Sequence, residues 1–214
     1  PSLVGSEMCI RDRGWDLGLD RVSEVGRRLK VLHPAATTIL VAGTNGKGST
    51  CEFLERFAMA NGLSVGKSTS PHIHQFNERI AIDGVPVLDQ SIVRAFQEIE
   101  SARKEITLTY FEFATLASLY LFCEQKVDVA ILEVGLGGRL DAMNIVDPDL
   151  TIITHISLDH QDWLGNTRAE IAREKAGIMR AKVGCIVADR DPPESVYEYA
   201  LEIGAPLCII GRDF

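Results

Sequence analysis

An octet of glycines and small polar residues, Gly43-Thr44-Asn45-Gly46-Lys47-Gly48-Ser49-Thr50, lies between an apolar β-branched run, Thr37 to Ala42, and a segment of helical spacing, Cys51 to Asn61. Strand, glycine-rich turn and helix in that order make a phosphate cradle. Glycines let backbone N–H groups turn inward onto an anion, the helix N-terminus adds partial positive charge, and Lys47 brings a full one. The hydroxyl of Ser49 or Thr50 can then reach a Mg²⁺ ion beside the phosphates. The generic pattern G-x-x-x-x-G-K-[ST] fits only in part, because its first glycine falls on Val41 and Gly48 follows the lysine. The plainer alternative is a glycine-rich turn with no ligand, but few turns combine strand, glycines, lysine and helix start.

Further apolar runs alternate with helical segments: Ser64 to Ser68, Val127 to Val134, Asp149 to Ile156, Gly184 to Ala188 and Pro206 to Ile210. That alternation predicts an α/β fold, a P-loop parallel sheet with helices on both faces. After Asp16, residues Leu19, Val22, Val25, Leu29 and Val31 mark one face of an amphipathic helix expected beside the first strand. Asp83-Gly84 centres a hairpin over Ile80 to Val87. Leu88 to Lys104 reads as a surface helix, and the apolar helix after Thr107 to Phe113 ends near Lys126. Thr167 to Met179 is a helix capped by Asn166 or Thr167, and another runs from Pro193 to Ile203.

A net charge of −8 without a basic block excludes nucleic acid and anionic membrane as partners. An anionic substrate must therefore be held by a local positive site. No apolar run is long enough to span a bilayer, and there is no secretory pattern at the start. Five cysteines without C-x-x-C spacing indicate neither a disulfide framework nor zinc, which fits the cytosol.

Several residues near strand ends carry chemistry. Glu133 closes the apolar run Val127 to Val134, and a buried carboxylate needs a partner: Mg²⁺ beneath the phosphates, or Arg139. Gly135 to Asn144 resembles a dinucleotide fingerprint only loosely, and NAD is rejected. His160, between Asp159 and Asp162, is a metal ligand or a satisfied loop histidine. The Ser-Pro turn at Thr69 to His72 falls where α/β sheets place ligands. Tyr110, Phe111 and Phe113 are core or a ligand platform. Lys175 alone reads as a surface salt bridge to Glu170 or Glu174.

Six stretches in this order, GTNGKGS, TSPH with FNERI, LTYFE, EVGLGGRLDA, LDHQDWLG and REKAGI, resemble the Mur ligase superfamily, and within it the folylpolyglutamate and dihydrofolate synthases. The resemblance runs from Asp16 to Phe214. It implies an ATP-dependent ligase of folate metabolism, cytoplasmic and monomeric, that joins a carboxylate of dihydropteroate or folates to the amine of L-glutamate through an acyl phosphate. By resemblance, Gly43 to Thr50 hold ATP, and Ser49, Ser70 and Glu133 hold one Mg²⁺. His160 and a Lys175 carbamylated by CO₂ serve a second metal, and Lys47, His160 and Lys175 are the catalytic set. Substrate contacts carried over in the same way are Asp16, Leu17, Gly18, Thr109, Tyr110, Phe111, Glu112, Leu140, Asp141 and Ala142. Residues 1–13, which show no periodicity, do not begin with Met and join abruptly to a patterned segment, are set aside as a non-native or disordered leader. Residues 14–214 are then a Mur-ligase-type ATP-binding domain, incomplete at its C-terminal end. A cell-wall Mur ligase would carry a UDP-binding domain before the cradle, and a P-loop switch would leave the pterin-type motifs unexplained.

Overall fold

A computed structural model describes residues 18–214, so Asp16, Leu17 and the leader at 1–13 lie outside the described residues. Helix α1 (Asp20–Leu29) leads to strand β1 (Thr37–Ala42), the cradle, α2 (Lys47–Ala60) and β2 (Val65–Ser68). A 3-10 turn (Phe76–Arg79) precedes the hairpin β3 (Ile80–Ile82) and β4 (Val85–Pro86), then α3 (Asp89–Arg103), α4 (Tyr110–Gln125) and β5 (Val129–Glu133). After a second 3-10 turn (Ala142–Ile145) come β6 (Leu150–Ile153), α5 (Gln161–Leu164), α6 (Arg168–Ala176), β7 (Cys185–Val187), α7 (Glu194–Ile203) and β8 (Leu207–Ile209).

The strands form one sheet in the order β4-β3-β2-β5-β1-β6-β7-β8. From β2 to β8 the pairings are parallel, and the hairpin adds two antiparallel strands at one edge. Its turn places Asp83 at φ 51° and Gly84 at φ 76°, the left-handed pair that a two-residue hairpin requires. Both edges are short. β4 ends in Pro86, and on the outer side of β8 the Ile209 N–H donates to the Asp213 carboxylate at 2.7 Å.

Strand side chains alternate between two cores. Ile39, Val41, Val129 and Ile131 face α2, which meets them with Cys51 and Ala58. Leu40, Ala42, Ala130, Leu132 and Ile153 face the larger core on the other side. That core is organised by α4, which is apolar on all sides and buried from Glu112 to Leu119. It occupies the layer between β2 and the outer helices. Helix α1 accordingly packs mainly on α3 and α4, not beside β1 as its apolar stripe suggests.

α4 comes this close because β2 carries Gly66 at the contact. A Cβ there would stand 2.5 Å from the fully buried Phe122 ring. Gly66→Ala is expected to cost about 1–3 kcal/mol by overpacking, read as a lower denaturation midpoint at constant slope. An unchanged midpoint would show that α4 slides without penalty.

α2 starts at Lys47, one turn before the predicted Cys51. Gly46 at φ 87° turns the chain, so Lys47, Gly48 and Ser49 become the first helical turn and keep their N–H groups free of intrahelical partners. Among the described residues no helix is long and apolar enough to cross a membrane.

Candidate active site at the end of the central strands

β1 and β5 run in register so that Val41 lies opposite Glu133, and the cradle leaves β1 at that level. Gly43 has φ 147°, and a Cβ on it would stand 1.7 Å from Thr154 Oγ1, so no side chain fits. Lys47 folds back, its Nζ donating to the carbonyl oxygens of Gly43 at 3.1 Å and Thr44 at 3.4 Å. Thr50 Oγ1 donates to the Gly46 carbonyl at 2.8 Å, which commits that hydroxyl to the helix. Ser49 is the exposed one, and of the two predicted hydroxyls it is the one placed to meet a cation.

Glu133 is 5% exposed, and its Oε2 accepts from Ser70 N at 3.0 Å. Burial raises its pKa, while the Ser70 N–H and the charges of Lys47 and Arg79 work against that. Arg139, the alternative partner, is held instead by Glu174 Oε1 at 2.9 Å. Ser49, Ser70 and Glu133 line one cleft of about 470 Å³ with Gly46, Gly48 and Lys67. Lys67 itself is clasped by Glu52 and Glu55. Among the described residues no three of His, Cys, Asp and Glu converge on a metal-sized cage. One buried carboxylate and two serines nevertheless fit Mg²⁺, which keeps several waters and takes its other ligands from phosphates.

Lys175 lies on α6 and is 3% exposed. Its Nζ donates to the Gly43 carbonyl at 3.0 Å, the same oxygen that Lys47 uses. Burial first, and then the charge of Lys47, push its pKa down from 10.5 to about 8. The surface salt bridge does not form. Glu170 is taken by the N–H groups of Asn166 at 2.7 Å and Thr167 at 3.0 Å, capping α6, and Glu174 holds Arg139. His160 stands outside the cleft, exposed and at φ 48°, with Nε2 3.7 Å from Asp159 Oδ2. Asp159 is also one of the charges that act on Lys175.

The family model described as the Mur ligase middle domain matches residues 41–207. The chain belongs to the Mur ligase family. It is 52% identical over 198 residues to the dihydrofolate synthase/folylpolyglutamate synthase of Escherichia coli K12, covering 92% of this chain and 47% of that protein. The structure of E. coli FolC in complex with DHPP and ADP superposes with a TM-score of 0.94 at 50% identity, covering 95% of this chain and 49% of that one. A bifunctional folylpolyglutamate synthase/dihydrofolate synthase with Mn, AMPPNP and L-glutamate bound gives a TM-score of 0.88 at 50% identity, covering 91% and 48%. The chain thus spans about half the length of the curated relatives it matches.

In this Mur ligase middle domain the residues assigned to a pterin pocket differ in what they have to offer. Thr109 and Glu112 form a reciprocal cap on α4: Thr109 N donates to Glu112 Oε2 at 2.6 Å, and Glu112 N to Thr109 Oγ1 at 3.2 Å. Arg21 adds a bond to Glu112 Oε1 at 3.1 Å. Asp141 is buried and accepts from Leu136 N at 2.8 Å and Met143 N at 2.9 Å; burial pushes its pKa up to about 6. Ala142 is buried, Leu140 is half-buried, and Gly18 is half-buried at the start of the described residues. Tyr110 is exposed, and Phe111 lies against Gly135, where a Cβ would meet its ring at 2.6 Å.

Arg79 is a residue that sequence reasoning left without a role. Its guanidinium lies 5.5 Å from the centre of the Tyr110 ring and 6.0 Å from that of Phe76, and Nε donates to His72 Nδ1 at 2.8 Å. It joins the Ser70 loop to the start of α4, two stretches read separately in the sequence. Nothing local signals this contact, since Arg79 and Tyr110 are distant in the chain.

Proposed function

We propose that this Mur ligase domain works in an ATP-dependent ligase that adds L-glutamate to dihydropteroate, to folates, or to both, as a cytoplasmic monomer. The observation that supports the reading is the convergence of Ser49, Ser70 and Glu133 on one cleft, with Lys47 and the buried Lys175 both donating to the Gly43 carbonyl beside it. A carboxylate is a poor acylating group because oxide would have to leave. In the first step a carboxylate oxygen of the acceptor attacks the γ-phosphorus of ATP and ADP departs. In the second, the amine of glutamate attacks the acyl carbon and inorganic phosphate departs.

The N–H groups of Lys47, Gly48 and Ser49 and the Lys47 ammonium hold the phosphates and meet the charge that develops on the transferring group. Ser49, Ser70 and Glu133 would hold Mg²⁺, which neutralises phosphate charge when bound. His160 and a carbamylated Lys175 would serve a second ion. Tyr110, Phe111 and Leu140 offer the flat and apolar contacts a pterin needs, while Thr109, Glu112 and Asp141 shape the pocket through the backbone.

The test is phosphate release by the full-length protein, with dihydropteroate or tetrahydrofolate as acceptor. Release should require an acceptor and L-glutamate together, and the better acceptor tells which step the enzyme favours. Turnover of ATP that ignores both would favour a nucleotide switch instead.

A further inference from the structure

Arg79 is half-buried, and no carboxylate among the described residues pairs with it, in a chain of net charge −8. The carboxylate of its neighbour Glu78 is occupied, accepting from the N–H groups of Ile73 at 2.7 Å and Gln75 at 2.8 Å. The other cations around the site are committed: Lys47 and Lys175 to the Gly43 carbonyl, Lys67 to Glu52 and Glu55, and Arg139 to Glu174. Arg79 uses only Nε, which donates to His72 Nδ1 at 2.8 Å. Among the described residues Nη1 and Nη2 meet no acceptor, so they remain as a two-pronged donor.

The surroundings of Arg79 indicate what this fork meets. On one side its carbonyl accepts from Thr69 N at 3.0 Å, which sets Arg79 beside the Ser70 turn, whose N–H reaches Glu133. Burial raises the pKa of Glu133, and Arg79 is near enough for its charge to oppose that rise. On the other side the guanidinium lies over the Tyr110 ring, 5.5 Å from its centre, and over Phe76 at 6.0 Å. Arg79 therefore stands between the groups that suit Mg²⁺ and the aromatic wall. An acceptor built of flat rings with a carboxylate at its far end has to span those two places, its rings on the aromatic side and its carboxylate at the phosphates. A guanidinium matches a carboxylate in a planar pair of parallel hydrogen bonds.

We propose that Nη1 and Nη2 of Arg79 bind the acceptor carboxylate and present it to the γ-phosphorus of ATP. This rests on the ligase reading above, which it deepens. In the full-length protein, Arg79→Gln should raise KM for the acceptor, whichever of dihydropteroate and tetrahydrofolate the enzyme turns over, by about ten- to hundredfold, the effect of losing a charged hydrogen bond. KM for ATP should stay as it is. Arg79→Lys, a cation without the fork, should recover part of the loss. The deciding probe is the same acceptor with hydrogen in place of the reacting carboxylate, used as a competitive inhibitor. It offers the fork nothing to hold, so it should inhibit wild type and Arg79→Gln equally.

An unchanged KM for the acceptor, or a KM for ATP raised as much, would overturn the assignment. So would an analogue weakened as much as the acceptor itself, which would leave Arg79 a prop for Tyr110 and the Ser70 turn. Wild-type protein that joins glutamate to neither acceptor would instead bring down the ligase reading, and this assignment with it.

Discussion

Lys47→Ala should lower phosphoryl transfer by about a thousandfold or more, the scale at which a preorganised charge in a shielded site contributes to a transition state. Nζ donates only to carbonyl oxygens of its own loop, Gly43 and Thr44, and packs against no apolar cluster. The thermal midpoint should therefore barely move. Removing one of the two cations on the Gly43 oxygen also relieves Lys175 of a repulsive neighbour. Single-turnover measurement of acyl-phosphate formation, with circular dichroism as the folding control, separates the effects. Undiminished turnover would sink the cradle assignment.

Replacing Lys175 should be the other severe loss, and for a different reason. Carbamylation needs the free amine: its lone pair attacks the carbon of CO₂, a proton leaves the nitrogen, and a cation becomes a carboxylate. At pH 7.5 an amine with pKa about 8 is neutral about a quarter of the time, against about one part in a thousand for an ordinary lysine. Lys175→Ala should lose most of its activity, and if the carbamate proposed for it is the working group, short carboxylates should restore part of it. Rescue by small amines to the same extent would show that an ammonium is what the site uses.

The same residue gives a pH signature in stability. A lysine whose folded pKa lies below its unfolded value is penalised while charged, so wild-type stability should rise with pH from about 8 toward 10.5. Lys175→Met should flatten that rise and be more stable than wild type at neutral pH. A rise of equal size in both would assign the effect to other groups.

Why the cradle is legible in its own residues and Lys175 only through the family resemblance comes down to range. Thr37 to Ala42, the glycines and Lys47 are contiguous, and strand, turn and helix each have a local signal, so only the start of α2 moved. Glu133 was legible because an acid at the end of an apolar run has few fates. Lys175 sits in a charged stretch, Arg173-Glu174-Lys175, that reads as a solvated face. Its burial depends on Gly138, where a Cβ would lie 2.8 Å from the Glu174 carbonyl oxygen and 2.9 Å from that of Lys175, so that the loop after β5 can close over the end of α6. No spacing rule reports such an approach.

The cap of α4 has a local sign, since Thr109-Tyr110-Phe111-Glu112 carries the T-x-x-E signature of a reciprocal cap around two aromatics.

The two margins of the sheet among the described residues differ in what they offer a neighbouring strand. An open β-edge is a template on which a second chain can lay a strand, and long, flat edges seed precipitation. Here one margin is a two-residue strand ending in Pro86, which has no N–H to offer a newcomer. At the other, Asp213 already occupies the outward donor of Ile209, and its carboxylate would repel an approaching acidic chain. Among the described residues, both margins thus present few free donors to a neighbouring strand. Asp213→Ala would leave the outward N–H of Ile209 without that acceptor.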